Sequence, residues 1–108
     1  MIIINFKNYV SGEKTIRLAQ TIQKYLPRAM IAVPTADIFE VTAETRLKTF
    51  AQHIDFNEKS RATGFTVPED VKETGAIGSL LNHSEHPLNF SAIQKTMKRA
   101  NVLKIVSL

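Results

Sequence analysis

The sequence predicts a parallel α/β fold of about four strand–helix units followed by a fifth strand. Three observations carry that expectation. Short apolar runs rich in β-branched residues alternate with segments of helical periodicity along all 108 residues. The apolar runs lack in–out alternation, as strands covered on both faces do. Their starts recur at roughly 20–28 residues, the spacing of βα units joined by right-handed crossovers. On periodicity alone, half of an eight-unit βα barrel and a five-stranded open sheet are equally admissible. No glycine-rich turn follows the first run to hold a phosphate at a helix N-terminus, which counts against the open form.

The first run, residues 2–6, reads Ile-Ile-Ile-Asn-Phe and predicts a buried strand. A loop over 7–10 leads to Ser11, a candidate helix cap. Thr15, Leu18, Ala19, Ile22, Tyr25 and Leu26 then recur at three- and four-residue steps as one apolar face, and Pro27 stops the helix. Residues 29–33 form a second strand closed by Pro34. A short helix over 37–45 follows, with Ile38 and Val41 inward, and then a third strand over 50–54. Residues 55–66 form a polar loop with Gly64 near its end. Thr66-Val67-Pro68-Glu69 has capping-box spacing, with proline acceptable in the first turn. Gly75 stands where a helix C-terminus favours a left-handed residue. The fourth strand is expected over 77–81, where Gly78 and Ser79 leave room for close packing. Asn89 caps a last helix striped by Phe90, Ile93, Met97 and Ala100, and residues 103–107 begin a fifth strand.

Composition excludes several classes. Hydrophobic content of 44% and charged content of 22% are those of a folded globular chain. No apolar run approaches the roughly 20 residues that span a bilayer, and Met-Ile-Ile-Ile-Asn lacks the basic region and cleavage site of a signal peptide. With no cysteine there is no disulfide framework, and a cytoplasmic location is the expectation. The net charge of +4, from 14 basic and 10 acidic residues, is spread along the chain. Its densest grouping, Lys95, Lys98 and Arg99, reads as a solvated helix face, so neither nucleic acid nor membrane is an expected partner. A mildly positive surface does favour anionic metabolites.

Parallel strands deliver their carboxyl ends to one face, and that is where α/β proteins place chemistry. Asn5 and Lys7 follow the first strand, Gln52 and His53 the third, and His83 and Glu85 the fourth. The fourth is the most telling, because Leu80-Leu81 run straight into Asn82-His83-Ser84-Glu85. An ammonium, two amides, imidazoles and a carboxylate at one mouth suit an anionic carbonyl compound whose oxygen gains charge. Each residue also has a plainer reading. Lys7 could be an exposed loop lysine, His83 a structural histidine and Glu85 an ion-pair partner. His83-x-x-His86 with His53 and Asp55 does not complete a tetrahedral set, so no metal is expected, and His86 reads as a surface loop residue.

Asn5-Phe6-Lys7, Ala51-Gln52-His53-Ile54-Asp55, Thr63-Gly64, the run from Pro68 to Ala76 and Asn82-His83-Ser84-Glu85 together resemble the amino-terminal half of archaeal-type triose-phosphate isomerases. The resemblance implies a partial (β/α)8 TIM barrel across residues 1–108. It implies interconversion of dihydroxyacetone phosphate and glyceraldehyde 3-phosphate in glycolysis and gluconeogenesis, through an enediolate and without a cofactor. It assigns Asn5 and Lys7 to substrate binding, His83 to the electrophile, Lys7 to electrostatic stabilisation and Glu85 to a supporting role. Thr63 and Gly64 would touch a neighbouring subunit. In the family the base glutamate, lid and phosphate loops come after the sixth to eighth strands. The expectation is therefore a truncated chain, inactive alone, that forms a homo-oligomer or meets a complementary carboxy-terminal half. The alternative is a non-catalytic half-barrel that self-associates or binds a partner through open sheet edges.

Overall fold

A computed structural model describes residues 1–108. Five strands alternate with helices: β1 (Ile3–Asn5), α1 (Glu13–Tyr25), β2 (Met30–Val33), a 3-10 turn (Thr35–Asp37) running into α2 (Ile38–Glu44), β3 (Lys48–Ala51), α3 (Pro68–Glu73), β4 (Gly78–Ser79), α4 (Phe90–Leu103) and β5 (Val106–Ser107). All neighbouring strands pair in parallel, and the sheet order is β1-β2-β3-β4-β5. This order separates the two architectures that periodicity left open. A doubly wound sheet reverses direction and places helices on both faces. Here every right-handed crossover steps the same way, which puts the helices on one face, as in a barrel.

The core lies between that face and the helices. Ile31, Val33 and Ala51 pack with Ala19, Ile38, Val41, Val71 and Ala100 in one buried cluster, with Ile4 against it. The opposite face carries the in-register row Asn5, Ala32, Phe50, Gly78 and Val106. Gly78 is required there. A Cβ on it would lie 2.3 Å from Cε1 of Phe50 and 2.5 Å from the carbonyl oxygen of Val106. The small residue expected for close packing thus makes room for a buried aromatic ring. No helix is long and apolar enough to cross a membrane.

Several local expectations are corrected. The strands are shorter than their apolar runs: β3 is Lys48–Ala51 where 50–54 was expected, and Leu103 belongs to α4. Each strand pairs over four or fewer residues before the chain turns into loops. Ser11 does not cap α1. Gly12 occupies the cap position, and Asp37 reaches across to accept from Gly12 N (3.0 Å to each carboxylate oxygen) and from Thr15 Oγ1 (2.6 Å). A carboxylate on the next unit satisfies the orphan donors better than a neighbouring hydroxyl. Thr66 makes no capping bond either. Val67 is the cap residue of α3, and Glu69 pairs instead with Arg99 of α4. Gly75 does adopt φ +87, and Asn89 accepts from Ala92 N at 2.9 Å.

The buried helix stripes are narrower than expected, with Ile22 of α1 still packed against the core. In α1, Thr15 and Ala19 are buried, whereas Leu18, Tyr25 and Leu26 are exposed. In α4, Thr96 and Ala100 face inward, while Phe90 and Met97 are exposed. Close helix–sheet packing selects small residues at the contact line and pushes large ones to its flanks.

Candidate active site

The carboxyl ends of β1, β3 and β4 surround a cleft of about 370 Å³ whose lining contains no hydrophobic residue. It is built first at β1. After Asn5 the backbone turns at Lys7 into the left-handed region, φ 50. For a non-glycine residue this costs about 1–3 kcal/mol and persists only where the surroundings hold it. They do: Asn5 Oδ1 accepts from Lys7 N at 2.9 Å, and Gln52 Nε2 donates to Lys7 O at 2.7 Å and to Asn5 Oδ1 at 3.2 Å. Two amides from two strands therefore aim one lysine.

Its Nζ donates to Glu85 Oε1 at 3.1 Å, across 78 residues of chain. That hydrogen bond, the charge on Glu85 and the nearby Tyr9 phenol together raise the Lys7 ammonium above its ordinary 10.5. Lys7 is a cation throughout the neutral range.

The β4 side is a tight loop. Asn82, at φ 56, tolerates the left-handed turn, and its Oδ1 accepts from Leu88 N at 2.8 Å to close residues 82–88. Inside the loop Glu85 N donates to His83 Nδ1 at 3.1 Å. The distance from Nδ1 to Glu85 Oε2, 3.6 Å, is too long for a hydrogen bond. The backbone donor therefore selects the tautomer with its proton on Nε2. His83 has a donor to offer, and it lines the same cleft as Lys7.

The sequence-derived set is thus mostly gathered: Asn5, Lys7, Gln52, His53, His83 and Glu85 all line one cleft. Thr63 and Gly64 do not; they sit exposed on the loop after β3, with Gly64 at φ 85. His86 joins this set by a contact that the sequence does not show. It lines the cleft, and its ring stacks on His53 with centroids 3.8 Å apart. His53 Nε2 meets Asp55 Oδ1 at 3.1 Å, and Asp55 Oδ2 accepts from Thr66 N at 2.8 Å. His86 is exposed in the loop after β4, in keeping with its reading as a surface loop residue.

The triosephosphate isomerase family model matches residues 1–108. The chain belongs to the triosephosphate isomerase family. The triosephosphate isomerase of Sulfolobus acidocaldarius is 36% identical over 113 residues, covering 99% of this chain and 49% of its own length. That of Saccharolobus solfataricus is 35% identical over 114 residues, covering 100% of this chain and 50% of its own. The chain spans about half the length of the curated relatives it matches. A crystal structure of triosephosphate isomerase from Bartonella henselae superposes with a TM-score of 0.87 over 98% of this chain and 48% of that one. At 18% identity that likeness shows the fold alone: five parallel strands and their helices that match about half of a TIM barrel.

Proposed function

We propose that this chain supplies the electrophilic half of a triosephosphate isomerase site, with triose phosphates as substrates. The observation that carries the reading is the Lys7–Glu85 contact at 3.1 Å, which ties the end of β1 to the loop bearing His83. Isomerisation of a 2-hydroxy carbonyl compound removes a proton from the carbon beside the carbonyl and places negative charge on oxygen. His83 Nε2–H donates to that oxygen. Lys7 stabilises the charge there and on the phosphate, Asn5 orients the substrate, and Glu85 supports the lysine. No cofactor takes part. The setting is cytoplasmic glycolysis or gluconeogenesis.

The same geometry argues against turnover by the chain alone. Glu85 is the one carboxylate lining the cleft, and it is engaged by Lys7. The proton-abstracting base and the phosphate-gripping loops must come from elsewhere, from a complementary carboxy-terminal half or from association with further copies. Thr63 and Gly64, at the exposed loop tip, are the subunit contacts of that assembly. A coupled assay with glycerol-phosphate dehydrogenase tests this, with His83→Ala as control. The expected result is no turnover from folded protein alone. Turnover abolished by His83→Ala would show that the assembly already holds a base.

One observation favours a second reading, a non-catalytic half-barrel that associates through its edges. β1 and β5 are unpaired on their outer sides, and Ile2, Val106 and Leu108 there are 53%, 48% and 42% exposed. A stable oligomer without isomerase activity, in the presence of any carboxy-terminal half offered to it, would select this reading.

A further inference from the structure

At the opposite end of the same strands lies a second concavity that the isomerase reading does not use. Two adjoining clefts, of about 310 and 460 Å³, share Met1, Pro27, Arg28 and Ala29 and have no residue in common with the candidate active site. Such volumes are those of small-molecule sites. The larger is lined by Arg28, Arg46 and Lys48 and by no carboxylate. None of the three cations takes part in an ion pair anywhere in the chain. Lys48 opens β3 in register with Met30 and Ile3. It thus stands on the sheet face that carries Asn5 and Phe50, at the amino-terminal end. The smaller cleft is apolar, bounded by Ile2, Tyr25, Leu26 and Pro27.

The backbone under both clefts is pinned. Ala29 N donates to Leu26 O and Met30 N to Ile2 O, each at 2.9 Å, and Arg46 N donates to Gln23 Oε1 at 2.5 Å. Three cations lining one cleft with no carboxylate among them give it a positive potential, which attracts an anion. Two of them are guanidiniums, whose planar fork matches phosphate oxygens in a bidentate manner. The adjoining cleft, which shares Arg28, is lined by Tyr25 and Leu26 and offers an aromatic and aliphatic wall.

We propose that the amino-terminal ends of β1, β2 and β3 form a second ligand site whose class is a nucleoside phosphate. Its phosphates lie against Arg28, Arg46 and Lys48, and its base lies in the cleft of Tyr25 and Leu26. The site is independent of the triose-phosphate chemistry at the carboxyl ends. It is tested by titrating the full chain with ATP, inorganic pyrophosphate and adenosine at low salt, followed by amide shift mapping. ATP is expected to bind more tightly than pyrophosphate, with shifts centred on 26–30 and 46–48. Arg28→Gln with Arg46→Gln should weaken ATP by about tenfold or more, and Tyr25→Ala should weaken ATP and leave pyrophosphate unchanged. These side chains are exposed, so the variants keep the fold. No binding by ATP, binding no tighter than that of pyrophosphate, binding indifferent to the arginine variants, or shifts centred on Lys7 and His83 would each overturn the assignment.

Discussion

Lys7 concentrates the local physics of the cleft. Its strained φ of 50 is held by Asn5 and Gln52, and its charge by Glu85. Because the folded state raises its pKa above 10.5, the Lys7–Glu85 contact stabilises the fold fully below that pH. The contribution is lost as pH rises through the higher folded value. The pair is partly solvent-exposed, so the effect is small. Glu85→Gln should move the Lys7 ammonium titration, followed by Nζ NMR, back toward the ordinary value. Melting curves of the two proteins should differ at pH 9 and converge in strong alkali. A Lys7 titration unchanged by Glu85→Gln would mean that the contact is absent in solution. At this scale the sequence was most legible for polar residues directly after a strand, such as Asn5 and His83. It was least legible for His86, whose contact with His53 joins loops 33 positions apart.

Single elements depend on contacts that their own sequences do not contain. The N-terminus of α1 is satisfied by Asp37 from the following unit. Asp37→Ala orphans Gly12 N and the Thr15 hydroxyl, and should lower stability by about 1–2 kcal/mol in urea unfolding. Ser11→Ala, at the position a local reading would choose for the cap, should change almost nothing. β4 makes the complementary case. Gly78→Ala drives a Cβ into Phe50 and the Val106 carbonyl, and should cost about 1–3 kcal/mol. Phe50→Leu in the same background should recover only part, since the carbonyl belongs to the backbone of β5. The glycine was visible in the sequence, but the ring it makes room for lies 28 positions earlier on a neighbouring strand.

On the scale of the whole molecule, the sheet order is the decisive fact. Five strands wound in one direction leave two edges, β1 and β5, and one face that the helices do not cover. Apolar side chains stand exposed at both edges. The proposed association through these edges is tested by placing charge on them. Ile2→Lys with Val106→Lys should lower the sedimentation mass of any oligomer toward that of a single chain, because charges on edge strands block pairing. An oligomer indifferent to both substitutions would place the interface elsewhere, such as the exposed loop carrying Thr63 and Gly64.

The sequence by itself determined the order and type of the elements, the parallel class of the sheet and the chemical character of its carboxyl ends. These are local properties: periodicity, turn residues and the polar residues that follow each apolar run. Tertiary structure decided the winding order β1 to β5, the width of the buried stripes of α1 and α4, the capping of α1 by Asp37 and the stacking of His86 on His53. It also decided that Arg28, Arg46 and Lys48 meet at one cleft. Each of these depends on which distant residues pack against one another, and close packing across a sheet is set by the joint volume and register of several strands.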